Sequence, residues 1–156
     1  MEYGMVNVLD RHLEPVLVML EQLVEVCPED IWLDRRRNYW KHVLHAITGI
    51  AFWMRQQDET FQLPDFGNGI SPDFEDESTA SPTMAEVTGY IRQMKDKAVG
   101  FLKQLDDSGL LAASAVYPPM TQADVVIMQI RHIQHHIGYC NHILSESGHH
   151  TVLWQG

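Results

Sequence analysis

Apolar residues recur along most of the chain at intervals of three and four, which predicts long amphipathic helices. Pro15 lies inside the first of these, over roughly residues 3–26. Because proline lacks an amide donor, we expect either a kink there or a helix that begins only near Leu13. Pro28 is expected to end this helix and to lead into a short turn. The apolar stripe of this helix contains Val6, Leu9, Leu13, Val16, Leu20, Leu23 and Cys27.

The second predicted helix begins near Asp34, a residue that favours the N-cap position, and runs to about Gln57. The composition then changes, because residues 58–82 are dense in Pro, Gly, Ser and Asp and show no period. We therefore predict a long loop, whose acidic segment 73–77 is expected to be solvated. Loops of this length are uncommon in small domains and tend to be functional or mobile.

Two further helices are predicted from their first turns. The third opens with Thr83-Met-Ala-Glu86 and the fourth with Thr121-Gln-Ala-Asp124. Both stretches have the spacing of a capping box, in which the cap residue and an acidic residue three positions later satisfy each other's amides. We expect the third helix to stop at Gly109 and the fourth to run to about Ser147.

Four long helices without a convincing strand or an internal repeat predict an all-α fold, a four-helix bundle. The length of 156 residues suits a single domain over 1–156, with 58–82 as its long loop and 149–156 as a short tail. The connection between helices 2 and 3 is the longest, which fits a crossover that departs from simple up-and-down order.

Charge and cysteine usage narrow the function. The formal net charge of −10 argues against a nucleic acid or a membrane surface as partner, since both need a basic stripe. No apolar run approaches the ~20 residues of a membrane span, and the first residues lack the pattern of a secretory signal. Cys27 and Cys140 form no disulfide framework, so we expect reduced thiols and a cytoplasmic protein.

The stretch 131–143, RHIQHHIGYCNHI, holds four histidines on the fourth predicted helix. Since a helix turns about 100° per residue, His132 and His136 stand one above the other and can present imidazoles to one ion. His135 and His142 belong to other faces. A divalent ion such as Zn²⁺ needs at least a third protein ligand, and this helix does not supply it by spacing alone.

Candidates for the missing ligand lie elsewhere in the chain. His42 and His45 are on the second predicted helix, and His12 on the first is a weaker candidate. Cys140 stands one turn beyond His136 and could be a fourth ligand or a nucleophile, although a free cysteine is more often a small core residue. The histidines could also simply fill polar positions of a helical interaction protein.

Three stretches, in this order, resemble the DinB-like family of four-helix-bundle metal proteins. Residues 40–53, WKHVLHAITGIAFW, resemble that family's second helix, and Ser81–Glu86 resembles the entry to its third helix after a long loop. The pattern His132-x-x-His135-His136-x-Gly138 resembles its last helix. The resemblance covers nearly the whole chain and implies a bundle of the DinB-like type.

The resemblance also implies a ligand set of His45, His132 and His136, with His45 preferred over His42. Many members carry arginine before the glycine where this chain has Ile137, so any role of that arginine does not transfer. Some members resembling this chain are thiol-dependent transferases or isomerases that use a low-molecular-weight thiol.

Three neutral imidazoles leave a bound ion its double charge, which lowers the pKa of a bound water or thiol and gives a nucleophile at neutral pH. We therefore expect a divalent-metal-dependent enzyme with Zn²⁺ or Ni²⁺ and a small-molecule substrate. A thiol-dependent S-transferase is the leading hypothesis, and a hydrolase is another. A non-catalytic metal-binding or sensor module is the alternative. Phe52, Trp53 and Trp154 are expected to support a homodimer.

Overall fold

The computed structural model describes residues 4–156. Buried side chains from the four long helices form a hydrophobic core between them, and the only β-pairing in the described part of the chain is an isolated bridge between Ala113 and Thr121. The predicted all-α bundle is confirmed, whereas the single domain over 1–156 stays a prediction. The helices are α1 (Met5–Val26), α2 (Glu29–Leu33), α3 (Tyr39–Trp53), α4 (Met84–Lys103), α5 (Asp107–Leu110) and α6 (Gln122–Glu146).

The four long helices form a ring in which α1 and α3 each contact both α4 and α6. α1 and α3 meet less extensively across the ring, and no Cα atom of α4 lies within 8 Å of one of α6 among the described residues. The order thus departs from a simple up-and-down bundle, as expected. The crossing connections, however, are those that contain α2 and α5, while the long loop joins the neighbours α3 and α4. This arrangement places α3 directly against α6.

Helix α1 is continuous through Pro15, so a helix that begins only near Leu13 is wrong. The carbonyl that loses its amide partner belongs to Arg11, an exposed residue, where water can take the place of the missing donor. Residue 3, at which the predicted helix starts, lies outside the described residues. The predicted apolar stripe is buried along its length from Leu9 to Cys27.

Asp34 does not begin the second long helix, contrary to the prediction. It is the C-cap of α2, and its carboxylate accepts a hydrogen bond of 2.9 Å from the amide of Arg36. Asn38 then adopts the left-handed region with φ 55° and ψ 31°. No helix passes through such a residue, so α3 begins at Tyr39.

The predicted end of that helix at Gln57 is also wrong, because α3 ends at Trp53. The amide of Gln56 donates to the carboxylate of Glu59 at 3.0 Å instead of to a helical carbonyl. This side-chain acceptor turns the chain away from the helix axis and starts the long loop.

Both predicted capping boxes are present, at Thr83 with Glu86 and at Thr121 with Asp124. They fix the starts of α4 and α6 where the sequence predicts them, and α6 ends at Glu146, next to the predicted Ser147.

The predicted end of the third long helix at Gly109 is wrong. Helix α4 ends at Lys103. The carboxylate of Asp106 then accepts a hydrogen bond of 2.7 Å from the amide of Gly109 and so caps the short helix α5.

The long loop is tied to the bundle although it contains no helix or strand. The indole of Trp32 donates to the Pro82 carbonyl at 2.8 Å, and Arg35 donates to the Thr79 carbonyl at 2.6 Å. The tail is tied to α6, because the amide side chain of Asn141 pairs with both backbone groups of Val152 at 2.9 Å.

None of the helices formed by residues 4–156 is long and apolar enough to cross a membrane.

Candidate metal site

His45 of α3 faces His132 and His136 of α6, and the three imidazoles form one cluster. One possible ligand atom from each ring lies within 4.8 Å of one from each of the others. The ring centroids are 5.1 Å apart for His45 and His132, 4.9 Å for His45 and His136, and 4.8 Å for His132 and His136. The fold thus brings together the three histidines that the family resemblance implies.

This group of three histidines could hold a metal ion, because neutral imidazole nitrogens are common ligands of divalent transition metals. A tetrahedral ion with Zn–N bonds of about 2.0–2.1 Å places two nitrogens about 3.4 Å apart. Small inward rotations of the rings would therefore suffice. The Nδ1 of His132 is buried without a hydrogen-bond partner among the described residues. A buried polar atom left in this way is costly, which favours a ligand or a second partner there.

The long loop determines which ring nitrogen of His45 is free to bind an ion. Its Nδ1 lies 3.0 Å from the carbonyl oxygen of Pro72. A carbonyl only accepts hydrogen bonds, so Nδ1 carries the proton and donates it. In the neutral ring the lone pair is then on Nε2, the nitrogen available to an ion.

His136 has its partner on the neighbouring helix. Its Nδ1 lies 2.9 Å from Nδ1 of His42, and the two rings are 5.2 Å apart between centroids. His42, which the sequence leaves open as a ligand, is outside the group of three. It contacts His136 of that group through Nδ1. The sequence placed His42 among the possible ligands but did not reveal this pairing with a ligand candidate.

Burial favours the uncharged form of His42, His132 and His136. It lowers the pKa of His42 and of His132 to about 4 and that of His136 to about 3, and neighbouring imidazoles add to the effect. Desolvation penalises the protonated form most, because a charge loses more hydration energy than a neutral ring. At neutral pH these three rings therefore have a free lone pair, as metal ligation requires.

The acidic part of the long loop covers the cluster, a feature that the sequence did not reveal. The ring of Phe74 lies 4.6 Å from that of His42, 5.2 Å from that of His45, and parallel to that of His136 at 6.0 Å. The buried ammonium of Lys41 donates to the carbonyls of Asp73 and Asp76 at 2.9 and 2.6 Å. The backbone of this loop segment is thus hydrogen-bonded to α3, although residues 73–77 are exposed as predicted.

Gly49 allows α3 to approach α6 at the site. A Cβ at this position would lie 2.5 Å from Oε1 of Gln129 and 3.2 Å from Nδ1 of His132. Gln129 is almost completely buried, and its Oε1 has no hydrogen-bond partner in the described part of the chain. Oε1 of Gln129 and Nδ1 of His132, both without a hydrogen-bond partner among the described residues, thus lie on the same side of Gly49.

The other candidate residues lie outside the group of three, although the ring centroid of His135 is 5.1 Å from that of His136. His135 and His142 are exposed on other faces of α6, as predicted, and His12 is exposed on α1. Cys140 is fully buried, and its Sγ lies 3.8 Å from the Tyr39 carbonyl. Burial raises the pKa of its thiol far above the usual range, so Cys140 is a core residue. Ile137 is also fully buried.

The comparisons with known proteins agree with this fold. A family model described as the DinB superfamily matches residues 12–140. The matched stretch contains all three clustered histidines and most of each long helix. Neither the comparison with curated proteins nor that with solved structures found a match.

Proposed function

The chain belongs to the DinB superfamily, and on that premise we propose that it is a divalent-metal-dependent enzyme whose ion is held by His45, His132 and His136. The observation that carries this proposal is the cluster itself. Three imidazoles from two helices converge within 4.8 Å at a partly buried position, where unpaired polar groups are unfavourable unless they bind something.

When bound, such an ion supplies positive charge that three neutral imidazoles do not cancel, and so favours the anion of a water or a thiol at neutral pH. The chain supplies the conditions for this. His132 and His136 stay neutral because of burial, Pro72 directs the ring of His45, and the Phe74 ring lies against His45 and His136.

We further propose that the reaction is a thiol-dependent S-transfer, with hydrolysis as the other possibility. Both cysteines of the chain are buried, and burial raises the pKa of Cys27 to about 12 and that of Cys140 still further. Neither is a nucleophile at neutral pH, because the thiolate is the reactive form. A low-molecular-weight thiol from solution would therefore supply the sulfur.

A small-molecule substrate is consistent with the surroundings of the site. A cleft of about 400 Å³, lined in part by Trp40, Lys41 and Phe74, adjoins the cluster through the Phe74 ring. The net charge of −10 makes a nucleic acid or an anionic membrane an unfavourable partner. Zn²⁺ or Ni²⁺ is the proposed ion, and a cytoplasmic location is proposed from the two cysteines without a disulfide framework.

A homodimer remains part of the proposal. Leu153 and Trp154 of the tail are 79% and 74% exposed, while Phe52 and Trp53 are partly buried against their own chain. Exposed apolar side chains of this size are common in two-fold interfaces.

The reaction is tested with untagged protein loaded with Zn²⁺ or with Ni²⁺ and supplied with small thiols and electrophilic substrates. We expect loss of free thiol, with transfer of its sulfur to the electrophile, only with the loaded protein. His132→Ala should abolish this activity, and His142→Ala, an exposed position on the same helix, should retain it. A metal-loaded wild type that turns over neither thiol nor hydrolysable substrates would contradict the proposal that the protein is an enzyme.

A non-catalytic metal-binding or sensor module is the second candidate, favoured by the loop that covers the cluster. Co²⁺-substituted protein distinguishes the two, because its absorption spectrum reports coordination. A spectrum that changes when azide or a small thiol is added indicates an open position and supports the enzyme. A spectrum that does not change indicates a closed site and supports the module.

A further inference from the structure

His42 is outside the group of three histidines, yet it contacts that group directly. Its Nδ1 lies 2.9 Å from Nδ1 of His136. It stands one helical turn before His45, on the side of α3 that faces α6, and only 9% of the residue is exposed. A buried histidine paired to a second buried histidine needs a reason beyond filling space, since apolar residues fill space without a polar penalty.

Two aromatic rings hold His42 in place. The ring of Tyr139 stacks on it at 4.3 Å with an interplanar angle of 21°. The ring of Phe74 lies 4.6 Å away, from the long loop. Contacts from α6 and from the loop therefore fix the orientation of the imidazole and keep its Nδ1 directed at His136.

The direction of the hydrogen bond follows from the chemistry of the pair. Two ring nitrogens at 2.9 Å share one proton, so one ring donates and the other accepts. If His136 binds an ion, its free nitrogen for that purpose is Nε2, because Nδ1 is occupied. A neutral His136 with a lone pair on Nε2 carries its proton on Nδ1 and must donate it. The opposite direction would place the proton of His136 on Nε2 and block the ligand position.

Resting on the proposed metal site, we infer that His42 is a positioning residue: its Nδ1 accepts the Nδ1 proton of His136 and thereby directs the lone pair of His136 Nε2 at the ion. His42 does not itself bind the ion. Its role parallels that of the Pro72 carbonyl, which accepts the Nδ1 proton of His45. Outer partners of this kind fix ring orientation and raise the basicity of the ligand.

The test compares three variants of the full chain. His42→Phe keeps an aromatic ring between Tyr139 and Phe74 but has no acceptor. His42→Asn places Oδ1 near the position of Nδ1, and His42→Gln, the matched control, places its oxygen farther out. We expect His42→Phe to weaken Zn²⁺ affinity about 10- to 100-fold, measured by competition with a chelator. His42→Asn should recover most of that affinity and His42→Gln little of it.

A purely structural role would predict a different pattern. It would lower the melting temperature of the metal-free variants without ranking the affinity of His42→Asn above that of His42→Gln. If His42→Phe does not fold, the comparison of the Asn and Gln variants decides alone. Equal Zn²⁺ affinity in wild type and variants overturns the inference while leaving the proposed function intact.

Two other results overturn the inference in different ways. A Co²⁺ spectrum that loses an imidazole ligand in His42→Asn would make His42 a ligand instead of a positioning residue. A wild type that binds no Zn²⁺ would remove the proposed function itself, and the inference with it. Retention of the wild-type Co²⁺ spectrum in His42→Asn, together with the expected order of affinities, supports the positioning role.

Discussion

The Nδ1 of His45 lies 3.0 Å from the carbonyl oxygen of Pro72, so a proposed metal ligand on α3 is bound directly to the long loop. Lys41, one turn earlier on the same helix, holds the next part of that loop through the carbonyls of Asp73 and Asp76. The orientation of the ligand and the position of the loop are therefore coupled, and disturbing the loop should alter the metal site.

Replacement of Lys41 by methionine should release the loop while keeping the volume of the buried side chain. Hydrogen bonds from a charged group contribute about 1.5–3 kcal/mol each. Since about 1.4 kcal/mol corresponds to a factor of ten, we expect at least about tenfold faster transfer of the metal to a chelator, with little change in the helix content. Lys103→Met, at an exposed position of α4, is the control. Equal transfer rates in Lys41→Met and wild type would show that the loop does not limit access.

Replacement of Gly49 by alanine should separate α3 from α6 at the site. The new Cβ would lie 2.5 Å from Gln129 Oε1 and 3.2 Å from His132 Nδ1. We expect a loss of roughly 1–3 kcal/mol in the free energy of unfolding and a weaker affinity for Zn²⁺, measured by urea unfolding and chelator competition.

Gly138→Ala on α6 is the matched control, because nothing lies within 4 Å of a Cβ there. It should stabilise the metal-free protein by up to about 1 kcal/mol, since alanine favours a helix over glycine. If Gly49→Ala behaved like Gly138→Ala, the close approach of the two helices would have no energetic consequence.

The metal-free protein should lose stability in acid because of its buried histidines. The pKa of His132 is lowered to about 4 and that of His136 to about 3, whereas an unfolded histidine has a pKa of about 6.5. As the pH falls from about 6.5 to about 3, the unfolded chain binds protons that the folded chain does not, so the free energy of unfolding decreases. Above about pH 6.5 this contribution to stability is fully present.

Urea unfolding across this pH range, compared between wild type and His132→Asn/His136→Asn, measures the effect. The double variant should have the shallower dependence, and His142→Asn, which replaces an exposed histidine, should follow the wild type. Carboxylates titrate in all three proteins and cancel in the comparison. An identical pH dependence of the free energy of unfolding in wild type and double variant would mean that His132 and His136 bind protons equally in the folded and unfolded states.

Cys140 should be dispensable for metal binding. Its Sγ lies 3.8 Å from the Tyr39 carbonyl, in the core. Cys140→Ala should reduce the free energy of unfolding by roughly 1–2 kcal/mol through lost contacts and a small cavity, without changing the metal content. Cys27→Ala is a control for the removal of a buried thiol. Loss of the metal in Cys140→Ala alone would restore Cys140 as a ligand.

The parts of the fold that sequence predicts correctly depend on local interactions. The capping boxes at Thr83 and Thr121 begin α4 and α6 because the residues that satisfy each cap lie three positions away. The predicted helix start at Asp34 is wrong because an aspartate can either cap a helix or close a turn. The left-handed Asn38 decides between these, and the spacing of apolar residues contains no information about it.

The proposed site shows a similar division. Helical spacing pairs His132 with His136, but it leaves His42 and His45 equivalent, and only the family resemblance favours His45. Packing explains the difference, because His45 faces both His132 and His136, whereas His42 pairs with His136. Phe74 could not be placed, since a loop without a period gives no register. Its one signal is that it is the aromatic residue within the acidic segment 73–77.

Metal content of the untagged protein, measured by elemental analysis after reconstitution with Zn²⁺ and dialysis, tests the proposed site most directly. We predict stoichiometric metal in the wild type and in His142→Ala, and its loss in His45→Ala, His132→Ala and His136→Ala, each checked for a folded bundle by circular dichroism. A folded wild type that retains no stoichiometric divalent metal, or alanine variants that retain as much as the wild type, would contradict the account.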